Sequence, residues 1–156
     1  MDECLRLSAF SNFIAPREGS FTIENQNAYS MEEQKTQQTV IPYLIIPQAE
    51  KFYDFVINVF DGKETARFLN DDRTIMHGEV NIGSSTIMFG GSSDKWQSQP
   101  AGLYITVENA DETFKKALDN GATLVHDISD KDYGRTGGVK DPFGNTWWIV
   151  SNNKKE

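Results

Sequence analysis

From Thr39 onward the apolar and polar positions fall into short alternating runs and two longer stripes of helical spacing, and the order of these runs repeats. The first set predicts a strand over Val40–Ile46, a helix over Ala49–Phe60, and strands near Thr65–Leu69, Met76–Ile82 and Thr86–Phe89. The second predicts a strand over Leu103–Val107, a helix over Ala110–Asn120, and strands near Thr123–Asp127, Gly137–Lys140 and Thr146–Val150. Both halves read β-α-β-β-β, and they superpose at an offset of about 60 positions. Tyr43–Ile46 falls on Tyr104–Val107, Ala49 on Ala110, Asp61-Gly62 on Asn120-Gly121, and Thr86–Met88 on Thr146–Trp148.

The helical stripes are core-forming. Phe52, Val56, Val59 and Phe60 share one face of the first helix, and Phe114, Ala117 and Leu118 one face of the second. Asn109 is a good N-cap and Gln48 a poor one, and each helix ends near a glycine suited to the left-handed C′ position. Asp141-Pro-Phe-Gly-Asn145 reads as a turn, with Gly144 supplying a positive φ. It feeds a strand too apolar to be exposed on both faces, with Trp147 and Trp148 in series. Gly90-Gly91 and Gly137-Gly138 lead into no helix, so they read as strand bends or turns, not phosphate loops.

Residues 1–38 differ in composition, being rich in Ser, Asn, Gln and Glu. They form an N-terminal extension in which Leu7, Phe10, Phe13 and Ile14 fit one short amphipathic helix and Ser30 with Glu33 fits a capping box. The domain then covers 39–153: a first module over 39–92, a Ser/Gln-rich linker over 93–100 carrying Trp96, and a second module over 101–153. A net charge of −8 argues against nucleic acid and anionic membrane surfaces as partners, since both need basic patches. The single cysteine, Cys4, excludes an intrachain disulfide and a cysteine zinc cluster. An acidic N-terminus and the lack of a long apolar run complete the expectation of a soluble cytoplasmic protein.

The paired modules, the closing Asp141-Pro-Phe-Gly144 turn, and the runs Ile41–Leu44, His77–Val80, Ile82-Gly83 and Tyr133–Val139 together resemble the vicinal oxygen chelate superfamily. That superfamily includes glyoxalase I, bleomycin resistance proteins and extradiol dioxygenases, and the likeness is nearest to its PhnB-like branch. The resemblance implies an α+β fold in which two β-α-β-β-β modules form a curled mixed sheet around a cleft. In metal-dependent members four residues, typically His or Glu, bind one divalent ion, one from the first and one from the last strand of each module. The corresponding positions here hold Ile41, Met88, Gly102 and Trp148, none a plausible ligand. Their neighbours Pro42, Ile87, Phe89, Leu103, Trp147 and Ile149 are no better. No cofactor is predicted.

Strand alternation assigns the cleft side chains, because residues i and i+2 share a face. Met76, Val80 and Ile82 are expected under a helix, leaving His77, Glu79 and Asn81 on the concave face. By the same parity Tyr43, Thr86, Met88, Tyr104, Thr106, Thr146 and Trp148 face the cleft. Arg135, in the Tyr133-Gly-Arg loop, is placed either as a clamp for a ligand carboxylate or phosphate at the cleft mouth or in a structural salt bridge. Trp96 is expected to cap the cleft or to sit in a subunit interface.

Three functions follow from different weightings. The first is a metal-free binder of a small organic molecule, cationic or aromatic, with cation–π contacts worth roughly 0.5–2 kcal/mol each. The resemblance adds that such members are typically homodimers with shared clefts. The second is an enzyme, a lyase, isomerase or dioxygenase-like protein, using a His77/Glu79 acid–base pair or a relocated divalent metal with His126 as third ligand. The third is a dimeric structural or regulatory module with the extension facing its partner.

Overall fold

The computed structural model describes residues 38–152. The helix read near Leu7–Ile14, the Ser30–Glu33 capping box and Cys4 lie outside the described residues. Strands β1 (Tyr43–Ile46), β2 (Lys63–Leu69), β3 (Ile75–Ile82) and β4 (Ser85–Gly91) form one sheet in the order β1-β4-β3-β2, with helix α1 (Ala49–Phe60) inserted after β1. Strands β5 (Gly102–Thr106), β6 (Thr123–Lys131), β7 (Gly134–Lys140) and β8 (Thr146–Ser151) repeat that order as β5-β8-β7-β6, with helix α2 (Ala110–Asp119) after β5. The first strand of each module runs parallel to the last, which a crossover helix permits, and the remaining pairs are antiparallel. The fold is therefore the expected α+β arrangement of two repeated modules, as two separate four-stranded sheets.

One face of each sheet is covered by helix and makes the core. Leu44, Ile46, Ile87 and Phe89 from the first sheet and Trp147 and Ile149 from the second are buried, as their parity requires. Phe52 meets Phe89 edge-on at 5.1 Å and Phe143 at 5.8 Å, while Phe60 lies 4.4 Å from Trp147. These contacts carry a single hydrophobic cluster across both modules.

The closing turn is held by one side chain. Asp141 is buried, and its Oδ1 accepts from the backbone N–H groups of Phe143 and Asn145 at 2.9 and 2.8 Å. Its Oδ2 accepts from Asn145 Nδ2 at 2.7 Å and from the Trp147 indole at 2.9 Å. Asn145 Oδ1 in turn accepts from Ala101 N–H at 3.0 Å, tying the turn to the start of β5. A buried carboxylate is tolerable because all four of these donors converge on it.

Local expectations fail at three places. Met76 is not under a helix: it is 45% exposed and Ile75 is buried in its stead. A register shift opposite Phe68 and Leu69 inserts one extra residue into β3, and that inverts the parity before it. The left-handed residue after α1 is Asp61 (φ 53), not Gly62. A Cβ at Gly62 would lie 2.9 Å from Val56 Cγ1, so close packing rather than dihedral freedom requires that glycine. After α2, Gly121 (φ 91) does take the left-handed position, and Asn109 caps the helix through Glu112 N–H at 3.2 Å. Leu118 is exposed, so α2 buries Ala110, Phe114 and Ala117 instead.

Candidate functional site

On the face of the first sheet turned away from α1, a hydrogen-bonded chain reaches from β1 over β4 to β3. Tyr43 on β1 pairs with Met88 on β4, and Met88 pairs with Glu79 on β3. The Tyr43 hydroxyl lies 3.2 Å from His77 Nδ1, and His77 Nε2 lies 3.1 Å from Glu79 Oε1. A carboxylate only accepts, so in the neutral imidazole Nε2 carries the proton and Nδ1 accepts from the tyrosine hydroxyl. His77 stands between the rings of Tyr43 at 5.6 Å and Phe68 at 5.9 Å. Phe68, 44% exposed on β2, belongs to this surface, and the parity reading assigns no residue of that strand to a face. Gly90 makes room for the cluster, since a Cβ there would sit 3.2 Å from the Tyr43 hydroxyl and 2.8 Å from the Met76 carbonyl oxygen. Asn81 faces the same way but is engaged with Thr86, whose Oγ1 donates to Asn81 Oδ1 at 2.8 Å.

The second sheet presents a different surface in the same register. Tyr104 on β5 pairs with Trp148 on β8, Trp148 with Gly138 on β7, and Gly138 with His126 on β6. Tyr104 is 66% exposed and Trp148 40%. Gly137 and Gly138 are not a bend: they lie within β7, and each admits an aromatic ring, Phe114 on the helix side and Trp148 on the open side.

Thr86, Tyr104 and Thr106 come together in a groove of about 480 Å³ between the modules, with Pro42, Ile82 and Leu103. Tyr43, His77, Glu79, Met88 and Trp148 do not line it. Arg135 joins neither surface. Its guanidinium takes Asp111, in the first turn of α2, at 2.5 and 2.8 Å, and Asp130 at 3.3 Å. Of the two placements weighed for it, the cleft-mouth clamp is therefore replaced by the salt bridge. Hydrogen bonding to Arg135 holds the Asp111 carboxyl below its usual range, and Asp111 and then Asp130 push the guanidinium further up. Trp96 is exposed in the linker, with Lys95 Nζ 5.5 Å from its ring centre.

The donor set does not fit the divalent ion of the metal-dependent relatives. Among Ile41, Met88, Gly102 and Trp148 only the Met88 thioether has a lone pair to offer, and it is soft and neutral. Both ring nitrogens of His77 are engaged, and among the described residues no group of three His, Cys, Asp or Glu side chains is positioned to hold a metal ion. His126 lies in the other sheet from His77 and Glu79. No helix of the described residues is long and apolar enough to cross a membrane.

Residues 37–149 match the family model of the Glyoxalase/Bleomycin resistance protein/Dioxygenase superfamily, and the chain belongs to that family. An uncharacterized protein of Mycobacterium bovis, Mb0911c, is 33% identical over 118 residues, covering 68% of this chain and 78% of that protein. Among solved structures, the fold is shared with the PhnB protein from Bacillus cereus, described as a putative 3-demethylubiquinone-9 3-methyltransferase (TM-score 0.60, 19% identity, 73% of this chain and 99% of that one). It is shared also with TnmS3, an antibiotic binding protein from Streptomyces sp. CB03234 (TM-score 0.57, 14% identity, 75% and 98%).

Proposed function

We propose that this protein binds a small organic molecule, without a metal, on the open faces of its two sheets. The observation that carries the reading is the exposure of Tyr43 and Phe68 beside the Tyr43–His77–Glu79 chain on the first sheet and of Tyr104 and Trp148 on the second. Aromatic surface left in water is unfavourable unless something covers it, and aromatic faces beside a carboxylate suit an aromatic or cationic guest. The likeness to an antibiotic binding protein supports this class of ligand. In the same reading a second copy of the chain covers each open face, so that a homodimer completes two clefts. A reducing cytoplasm suits a chain with one cysteine.

A second reading, an enzyme of the same fold, draws on the same hydrogen-bonded chain. Glu79 orients the His77 ring through Nε2, and His77 can relay a proton to or from the Tyr43 hydroxyl, which makes an acid–base device. Isothermal titration calorimetry against a panel of small cationic and neutral aromatics, with and without EDTA, tests the first reading. Binding that persists in EDTA is expected, together with a dimer in sedimentation velocity. Loss of binding in EDTA with recovery on adding zinc would sink it. Turnover of a bound compound that is lost in His77→Gln while affinity is kept moves the assignment to the enzyme.

A further inference from the structure

We infer that Gly138 sets the specificity of the second module's open face by seating Trp148 as a stacking platform for a planar ring. The inference rests on the binding reading above and names the part of the ligand that this module takes.

A glycine inside an antiparallel strand packs nothing and loses more chain entropy on folding than any other residue, so its presence needs a local reason. β7 holds two in series. Gly137 has a structural one: a Cβ there would lie 2.8 Å from Phe114 Cε2 in the core. Its counterpart in the first module, Gly78, does the same for Phe89, with a Cβ 2.5 Å from Cζ. Both modules therefore use a core-facing glycine at this register to admit a buried ring.

Gly138 has no such counterpart. It stands opposite Trp148 as Glu79 stands opposite Met88, so the module folds with a full side chain at that register position. What the glycine changes is the tryptophan. A Cβ at 138 would lie 2.8 Å from Trp148 Cζ3 and 3.0 Å from Cε3. The six-membered half of the indole therefore lies against the β7 backbone instead of standing off the sheet. The side chain nevertheless stays 40% exposed, so ring surface remains open to a ligand. Tyr104 flanks it on β5, and His126 on β6 has its Cβ 3.4 Å from the same virtual Cβ. Three adjacent flat side chains across a sheet accept a planar guest by offset stacking and gain little from a bulky aliphatic one.

The test uses the full chain with Trp96→Phe, so that emission reports Trp147, buried, and Trp148, exposed. Proflavine (planar cation), phenazine (planar, neutral) and tetraethylammonium (cation without a ring) are titrated by fluorescence and calorimetry. The planar probes are expected to bind, and Gly138→Ala to weaken them at least about fivefold by lifting the indole. Trp148→Leu should weaken them similarly, and Gly138→Ala should add nothing in the Trp148→Leu background. Unchanged affinity in Gly138→Ala, equal losses in both backgrounds, or a Gly138→Ala protein that does not fold each overturn the inference. Binding of tetraethylammonium without either planar probe overturns it while leaving the binding reading intact. Failure of all three probes, together with the calorimetric panel above, overturns both.

Discussion

The two modules put the same backbone to different uses, and the difference is visible strand by strand. Tyr43 faces Met88 as Tyr104 faces Trp148, and the core residues Val80 and Val139 occupy equivalent places beside them. On the open side the first module carries the polar Tyr43–His77–Glu79 chain, whereas the second carries an exposed indole over a glycine. The links differ too. β3 and β4 are joined by Gly83-Ser84 alone, with a positive φ at Gly83, while β7 and β8 are joined by the Asp141–Asn145 turn and its buried carboxylate. A repeated fold constrains the residues that fill its core and leaves the open face free to diverge. Divergence is therefore where recognition is to be sought.

That contrast sets the order of effects. Asp141→Ala should cost the most, on the order of 3 kcal/mol or more, because it strands buried donors on Phe143, Asn145 and Trp147. Urea unfolding measures it, and a loss below about 1 kcal/mol would mean that water replaces the carboxylate. Gly78→Ala comes next, at about 1–3 kcal/mol, since its methyl meets a ring locked in the core. Gly138→Ala should cost clearly less, because Trp148 can swing into solvent. Equal losses for the two glycines would erase the distinction between core and open face.

Glu79→Gln should leave stability within about 1 kcal/mol, as the pair with His77 is only half-buried, yet weaken cationic ligands more than neutral ones of the same shape. Calorimetry on a matched pair of ligands decides this, and equal weakening would assign Glu79 a purely structural role. The smallest effect belongs to Asp111→Asn. Arg135 lowers the Asp111 pKa, so the pair's contribution is present at neutral pH and is lost only as pH falls below the ordinary aspartate value through the depressed one. The variant should lack that portion of acid sensitivity and match the parent protein's pH dependence above about pH 5. A variant differing from it equally at every pH would show that charge is not the cause.

Much of this was legible beforehand. The repeat, the helical stripes, the burial of Trp147 and the outward placement of Trp148 and Tyr104 follow from periods of 3.6 and 2. The parity argument failed at Met76 because a register shift changes which residues share a face, and nothing in the local run Ile75-Met76-His77 marks where it falls. Gly137 and Gly138 looked alike as a pair, yet they serve opposite faces, and only the neighbouring strands reveal which ring each admits.

By itself the sequence determined the two-module fold and most of the core, since these depend on residue type and on distances along the chain. The tertiary structure decided which side chains meet: Tyr43 with His77, Arg135 with Asp111 rather than the open face, and Trp148 with Gly138. Such pairings depend on strand register and on a few ångströms of approach between segments 10 to 34 residues apart, a scale to which periodicity is blind.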